Sequence, residues 1–249
     1  MEKLIEVRAQ PGWRQLPLGI LKPLKEGLNW IRGIRGELHT ARRLERLGPE
    51  WTVLHSVPVG TRGSDIDHRV VGPAGVFPIN AKRHVDKKVS VGEHLIYVEG
   101  HRTDHVRNAA FEAGRVEAVL RRNRLVAPIL PIIAISGAKQ ISGRREATWQ
   151  GRRVGVIHVD RLVARLRRRP ARLTTAEVAR IAYLFSDSSS WGTAVVQPTD
   201  PLALRETYNA IDRGTTRWNV LVFLMIAAVL VPAGWLASSL LTSSVLSLW

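Results

Sequence analysis

Two aspartates, an asparagine and a lysine on the arms of one short hairpin are the residues of this chain best placed to do chemistry. They lie in the stretch SDIDHRVVGPAGVFPINAKRH, residues 64–84. HRVV and GVFPI read as apolar, partly β-branched arms, with GPAG as the turn between them. Residues two apart on an extended strand share a face. Asp65 and Asp67 therefore point one way, and Asn80 and Lys82 share a face on the partner arm. Arms otherwise built for burial rarely carry charge without a reason. Carboxylates hold a hard divalent cation such as Mg²⁺ or Mn²⁺ through oxygen ligands. A lysine beside them steadies negative charge as it develops on a phosphoryl group. That set of groups suits phosphodiester hydrolysis. A structural ion pair between Asp67 and Lys82 is the other reading of the same residues.

The elements around the hairpin must position these groups. From about Ile34 the pattern is helical: Leu38, Ala41, Leu44 and Leu47 recur on one face, and Gly48–Pro49 ends the run. Glu37, early in this helix, is placed to bring a further carboxylate. WTVLHSV (51–57) reads as a strand before the hairpin arms at about 65–71 and 75–82, and HLIYVEG (94–100) as a further strand at an edge or in an extension of the core. DHVRNAAFEAGRVEAVLRRN (104–123) is a strong helix, and APILPIIAIS (127–136) a buried strand. The order is α-β-β-β-α-β. RRVGVIHV then suggests a strand, and DRLVARLRRR and TTAEVARIAYLF two short helices, the second opened by Thr174 and Glu177 at capping-box spacing.

Composition limits the partners. Lys and Arg number 37 against 21 Asp and Glu, a formal net charge of +16, so the chain is drawn to polyanions: nucleic acid or an anionic membrane surface. There is no cysteine, which excludes disulfides, zinc–thiolate sites and cysteine nucleophiles. Arg62, in the loop before the hairpin, and Arg107 and Arg115, on the second helix, are candidate phosphate contacts. His68 alternates to the face opposite Asp67 and reads as structural; His94, His101 and His105 read as surface or loop residues. Residues 218–249 contain no charged side chain. A bilayer core about 30 Å thick needs about 20 apolar helical residues. One tilted or kinked span through Pro232 is therefore expected, with Arg213 and Arg217 and the basic domain on the cytoplasmic side. The expected division is an N-terminal arm (1–32), a core (33–137), a basic extension (138–186), a loop and tether (187–217) and a transmembrane segment (218–249).

The segments GELHTARRLERLG, WTVLHSVPV and SDIDHRVVGPAGVFPINAK, in this order and spacing, resemble the nuclease-related domain (NERD) family. That family is similar to the PD-(D/E)XK nucleases. The resemblance covers residues 33–137 and implies an α/β, restriction-endonuclease-like α-β-β-β-α-β core with a mixed central sheet. To this the apolar C-terminus adds a transmembrane helix. The resemblance also implies Mg²⁺ or Mn²⁺ as cofactor and DNA as partner. It matches Glu37 to the helix glutamate, Asp67 to the metal-binding aspartate and Lys82 to the catalytic lysine. Asp65 is a supporting ligand from across the hairpin, and Asn108 a polar residue of the second helix facing the site. Asn80 stands where the pattern has its second acid. An amide oxygen can ligate Mg²⁺ but brings no charge. Two functions therefore stay open: a metal-dependent nuclease at the membrane, or a degenerate nucleic-acid-binding or scaffold protein on the same fold. A third reading has the basic surface binding anionic lipid.

Overall fold

The structure is a computed structural model that describes residues 13–58, 65–187 and 201–246. Its contacts fall into two units, one formed by Ile31–Pro198 and the other by the chain before and after it.

The larger unit is organised around a six-stranded mixed sheet. Strands β3 (Thr52–Pro58), β4 (Asp65–Gly72) and β5 (Gly75–Arg83) form an antiparallel meander. Strand β9 (Ile132–Ser136) lies parallel to β5, β12 (Arg152–His158) parallel to β9, and β11 (Glu146–Trp149) antiparallel at the edge. The two arms expected from sequence are thus paired as a hairpin, with Gly72 opposite Gly75 and Val70 opposite Phe77. Gly75 is required at the corner. Its φ is +127°, and a Cβ there would overlap the Pro128 carbonyl, which accepts the Val76 N–H at 2.8 Å.

Strand alternation sends neighbouring residues to opposite layers. On one face Val70, Phe77, Ile79, Ile132 and Ala134 pack against Leu44 of helix α1 (Lys25–Leu44) and against Leu162 and Leu166 of α3 (Val159–Arg167). On the other, Val71, Val76, Ile133 and Ile135 lie under helix α2 (His105–Arg122). Helix α4 (Thr175–Ser186) joins this second layer through Val178, Ile181 and Phe185, and its capping box between Thr174 and Glu177 forms as its sequence predicts. The element order α1-β3-β4-β5-α2-β9 is that of the restriction-endonuclease-like core.

A second, four-stranded sheet was only partly legible. It comprises β6 (Lys88–Val91), β7 (Ile96–Val98), β8 (His101–Thr103) and β10 (Gln140–Gly143), in the order β10-β6-β7-β8. Its buried residues Val89, Val91, Ile96 and Val98 pack against Val106, Ala109 and Ala110 of α2. The C-terminal half of α2 instead packs through Val116, Val119 and Leu120 with Ile66, Val71 and Val76. Held by apolar clusters at both ends, α2 has a fixed rotation over β5.

The smaller unit pairs β1 (Trp13–Leu16) with β2 (Ile20–Pro23) around a single 3-10 turn, Pro17–Gly19. Sequence showed no clean period here, and the hairpin is the finding. It packs on helix α5 (Pro201–Leu246), which runs unbroken through Pro232. Within α5, Asn209–Pro232 is long and apolar enough to cross a membrane; an 18-residue stretch in it has mean hydropathy 1.7 and is 11% buried.

Candidate functional site

The site is built where β4 and β5 part. Their pairing runs from the turn to His68 opposite Ile79. One residue further, the Asp67 carboxylate takes the Ala81 N–H at 2.6 Å. Asn80 and Lys82 sit on the α2 face of β5, opposite Ile133 and Ile135 of β9. Helix α2 runs above them. The Asn80 side-chain amide donates to Oε1 of Glu112 at 2.9 Å. Asp67, Asn80, Lys82 and Glu112 therefore form one cluster, drawn from two strands and a helix.

Glu112, one helical turn after the Asn108 that the sequence favours, is the acid that meets Asn80. Its carboxyl is pushed up from 4.5 to about 7, first by burial and then by the negative charge of Asp67; the Asn80 amide, Lys82 and Arg115 act in the opposite direction. Two carboxylates are being held together at a cost that a cation would remove. The signal was in the helix pattern. Glu112 lies three residues after Ala109 and four before Val116, both fully buried, so it is an acid on the apolar face of α2. Asn108, the helix residue favoured from sequence, is instead exposed, because it falls one position outside that face.

Burial sets the state of the histidines. His84 and His105 stack with ring centroids 5.5 Å apart, and Nε2 of each is buried without a hydrogen-bond partner among the described residues. His105 is lowered to about 4 by burial and then by Lys82 and His84, so it is a half-buried neighbour of the site rather than the surface or loop histidine expected from sequence. His68, on the opposite face as expected, approaches His55 with Nδ1 to Nδ1 at 2.8 Å. Burial, with a smaller contribution from His55, lowers it to about 3, against the pull of the Glu37 backbone carbonyl. Glu37 therefore comes from α1, on the face of the sheet opposite Glu112. It is not one of the groups that act on Glu112, and among the described residues no cluster of three or more His, Asp or Glu gathers as a metal cage.

Of the remaining candidates, Arg115 is close enough to act on Glu112. Arg107 is exposed and pairs with Asp104 at 3.2 Å. Between them on the same helix stands Phe111, 55% exposed, an aromatic that sequence reasoning did not single out. Arg62 lies outside the described residues. Asp65 begins β4, and its side chain also lies outside them.

One comparison covers the region that carries this cluster. Residues 32–136 match the nuclease-related domain, NERD. No curated protein and no solved structure matches the chain. The NERD match holds α1 from its eighth residue, the β3-β4-β5 meander, α2 and β9, hence all four residues of the cluster. Strands β11 and β12 lie beyond it yet complete its sheet.

The donor set of the NERD cluster fits a hard divalent cation. It is made only of oxygens: the Asp67 and Glu112 carboxylates, and the Asn80 Oδ1, which is buried without a partner among the described residues. An orphaned buried acceptor costs about 1–3 kcal/mol, and a cation would satisfy it.

Proposed function

We propose that this chain is a membrane-anchored, Mg²⁺- or Mn²⁺-dependent nuclease that hydrolyses DNA phosphodiesters at the cytoplasmic face. The observation that carries the reading is the contact of Asn80 with a half-buried Glu112 that holds its proton tightly beside Asp67. It supplies from the helix the second negative charge that the strand lacks. Asp67, Glu112 and the Asn80 carbonyl would hold the cation, with Asp65 as a flanking acid; Glu37, across the sheet, is not part of this set. When bound, the cation supplies Lewis-acid activation of the phosphodiester and of water. Lys82 places its positive charge where charge develops on the phosphate. Arg115 and Arg107 hold the backbone of the substrate, as does Arg62 from the loop. Phe111 between the two helix arginines offers a face for a base.

The test is cleavage by the full chain in detergent micelles with Mg²⁺ or Mn²⁺, then with chelator. Wild type should cut DNA only with the cation, and Lys82→Ala should cut at least tenfold more slowly. The Asn at position 80 favours a second reading, a binding module without catalysis. Retention of DNA with a steep salt dependence, but no cleavage under either cation, would establish that instead.

The anchor is α5. Trp218 and Trp235, the latter 73% exposed, are 17 residues apart, about 26 Å along a helix and close to the bilayer core of about 30 Å. Arg213 and Arg217 immediately precede the first of them, and this positive flank favours the cytoplasm for the domain. The protein should sediment with membranes and stay there through an alkaline wash. Protease outside intact cells should leave the nuclease-related domain whole. Release by alkali would mean surface attachment only.

A further inference from the structure

We propose that the β1–β2 hairpin is an interfacial wedge that seats against the anionic leaflet surface where α5 enters the membrane. The proposal rests on reading α5 as a membrane span. The hairpin is clamped to the last polar turn of α5 before its uncharged run. Arg217 donates through Nη1 to the Leu18 carbonyl at 2.9 Å. The Lys22 ammonium lies 5.3 Å from the centre of the Trp218 ring. Leu21, 2% exposed, fills the space that Gly214 leaves open; a Cβ at 214 would meet the Leu21 side chain at 2.7 Å. Three separate contacts thus hold the hairpin at the level of residues 214–218, beside the tryptophan that marks the membrane boundary.

What the hairpin then presents is apolar at its tip and cationic at its sides. Its tip is LPLGI, and Leu18 there is 86% exposed with φ +62°. Left-handed backbone in a leucine is uncommon, since it crowds Cβ against the following carbonyl. Here the strained position displays a large aliphatic side chain to the outside, where in water it has nothing to bury against. At a bilayer interface it enters the acyl boundary. Leu24, 42% exposed, follows the hairpin. Arg14 and Lys22 on the strands and Arg213 and Arg217 on the helix are all exposed. Four cations within about a Debye length of the surface match anionic headgroups. Continuity with the span and charge complementarity point to the same occupant, the lipid surface.

The absence of cysteine makes the test direct. Full chains carrying Leu18→Cys, Val229→Cys or Val126→Cys are labelled with an environment-sensitive fluorophore and reconstituted into phosphatidylcholine–phosphatidylglycerol vesicles. Lipids carry a quencher either near the headgroup or deep in the acyl chain. Val229, 67% exposed on the apolar helix, reports the span; Val126, 90% exposed in the nuclease-related domain, reports water. The Leu18 label should be quenched several-fold by the shallow quencher, less by the deep one, and its shallow quenching should fall in vesicles of phosphatidylcholine alone. Deep quenching at Val229 with Leu18 behaving like Val126 would overturn the wedge and leave the span intact. Equal quenching at Leu18 in neutral and anionic vesicles would overturn the role of the cations. No quenching at Val229 would remove the span and the wedge with it.

Discussion

Glu112→Gln should lower divalent-cation affinity and DNA cleavage at least tenfold, and adding Asn80→Asp to the same chain should restore most of the loss. The wild-type cluster carries two carboxylates, Asp67, which takes the Ala81 N–H, and Glu112, which accepts from the Asn80 amide at 2.9 Å. Glu112→Gln halves that charge. Losing one charge-bearing ligand of about 1.4 kcal/mol or more corresponds to a factor of ten or more. The double variant exchanges amide and acid across the same hydrogen bond: the new amide on the helix would donate, and the new carboxylate on the strand would accept. Charge count and contact are both kept, and the acid returns to the position two before Lys82. Calorimetric titration with Mn²⁺ and a cleavage assay read the two effects separately. Equal loss in the single and double variants would mean that Glu112 acts from its own position rather than as a transferred charge. Unchanged Mn²⁺ binding in Glu112→Gln would remove it from the metal site.

The metal-free protein should lose about 3 kcal/mol of stability between pH 7 and pH 4, and Glu112→Gln should steepen that loss while raising stability above pH 7. Three groups set the balance, His68 buried and His105 and Glu112 half-buried. His68, lowered from 6.5 to about 3, and His105, lowered to about 4, are neutral in the fold and protonate readily in the unfolded chain. Their contributions are present above pH 6.5 and are lost as pH falls towards their folded values. At about 1.4 kcal/mol per pH unit they amount to about 5 and about 3 kcal/mol when fully lost. Glu112 has the opposite sign. Raised from 4.5 to about 7, it holds its proton more tightly in the fold, so it favours folding below pH 4.5 and costs about 3 kcal/mol above pH 7. At pH 4 the histidines have withdrawn about 6 kcal/mol and Glu112 has returned about 3. Against a typical stability of about 5–15 kcal/mol the net loss is large. Urea denaturation in chelator at pH 4, 5.5 and 8 measures it. A Glu112→Gln variant no more stable than wild type at pH 8 would mean that the carboxylate is not strained by burial. The residue proposed to hold the cation is then also the one that the empty fold would be more stable without.

Local chemistry determined much of this protein before any fold existed. GPAG between two β-branched runs specifies the β4–β5 hairpin, because only glycine tolerates the backbone at position 75. The period of 104–123 specifies α2, and the uncharged run after Arg217 specifies a helix long enough to span a bilayer. These signals act over a few turns or a few strand residues, so they can be read from the chain. The order and spacing of Glu37, Asp67, Asn80 and Lys82 were legible too, and with them the match of residues 32–136 to the nuclease-related domain. Tertiary structure decided the rest. Whether Glu112 or Asn108 reaches Asn80 depends on the rotation of α2, and that rotation is fixed by Val106 and Ala109 packing on the small sheet at one end and Val116 and Leu120 on β4 and β5 at the other. The small sheet joins β6 to β10, some fifty residues apart in sequence, which no local period reveals. Strands β11 and β12 complete the central sheet only through the parallel pairing of β12 with β9. Glu37 was placed by its own helix, but the layer in which that helix packs put it across the sheet from Glu112. Side-chain type and spacing thus marked the hairpin as the place to look, while long-range packing chose which acid meets the asparagine.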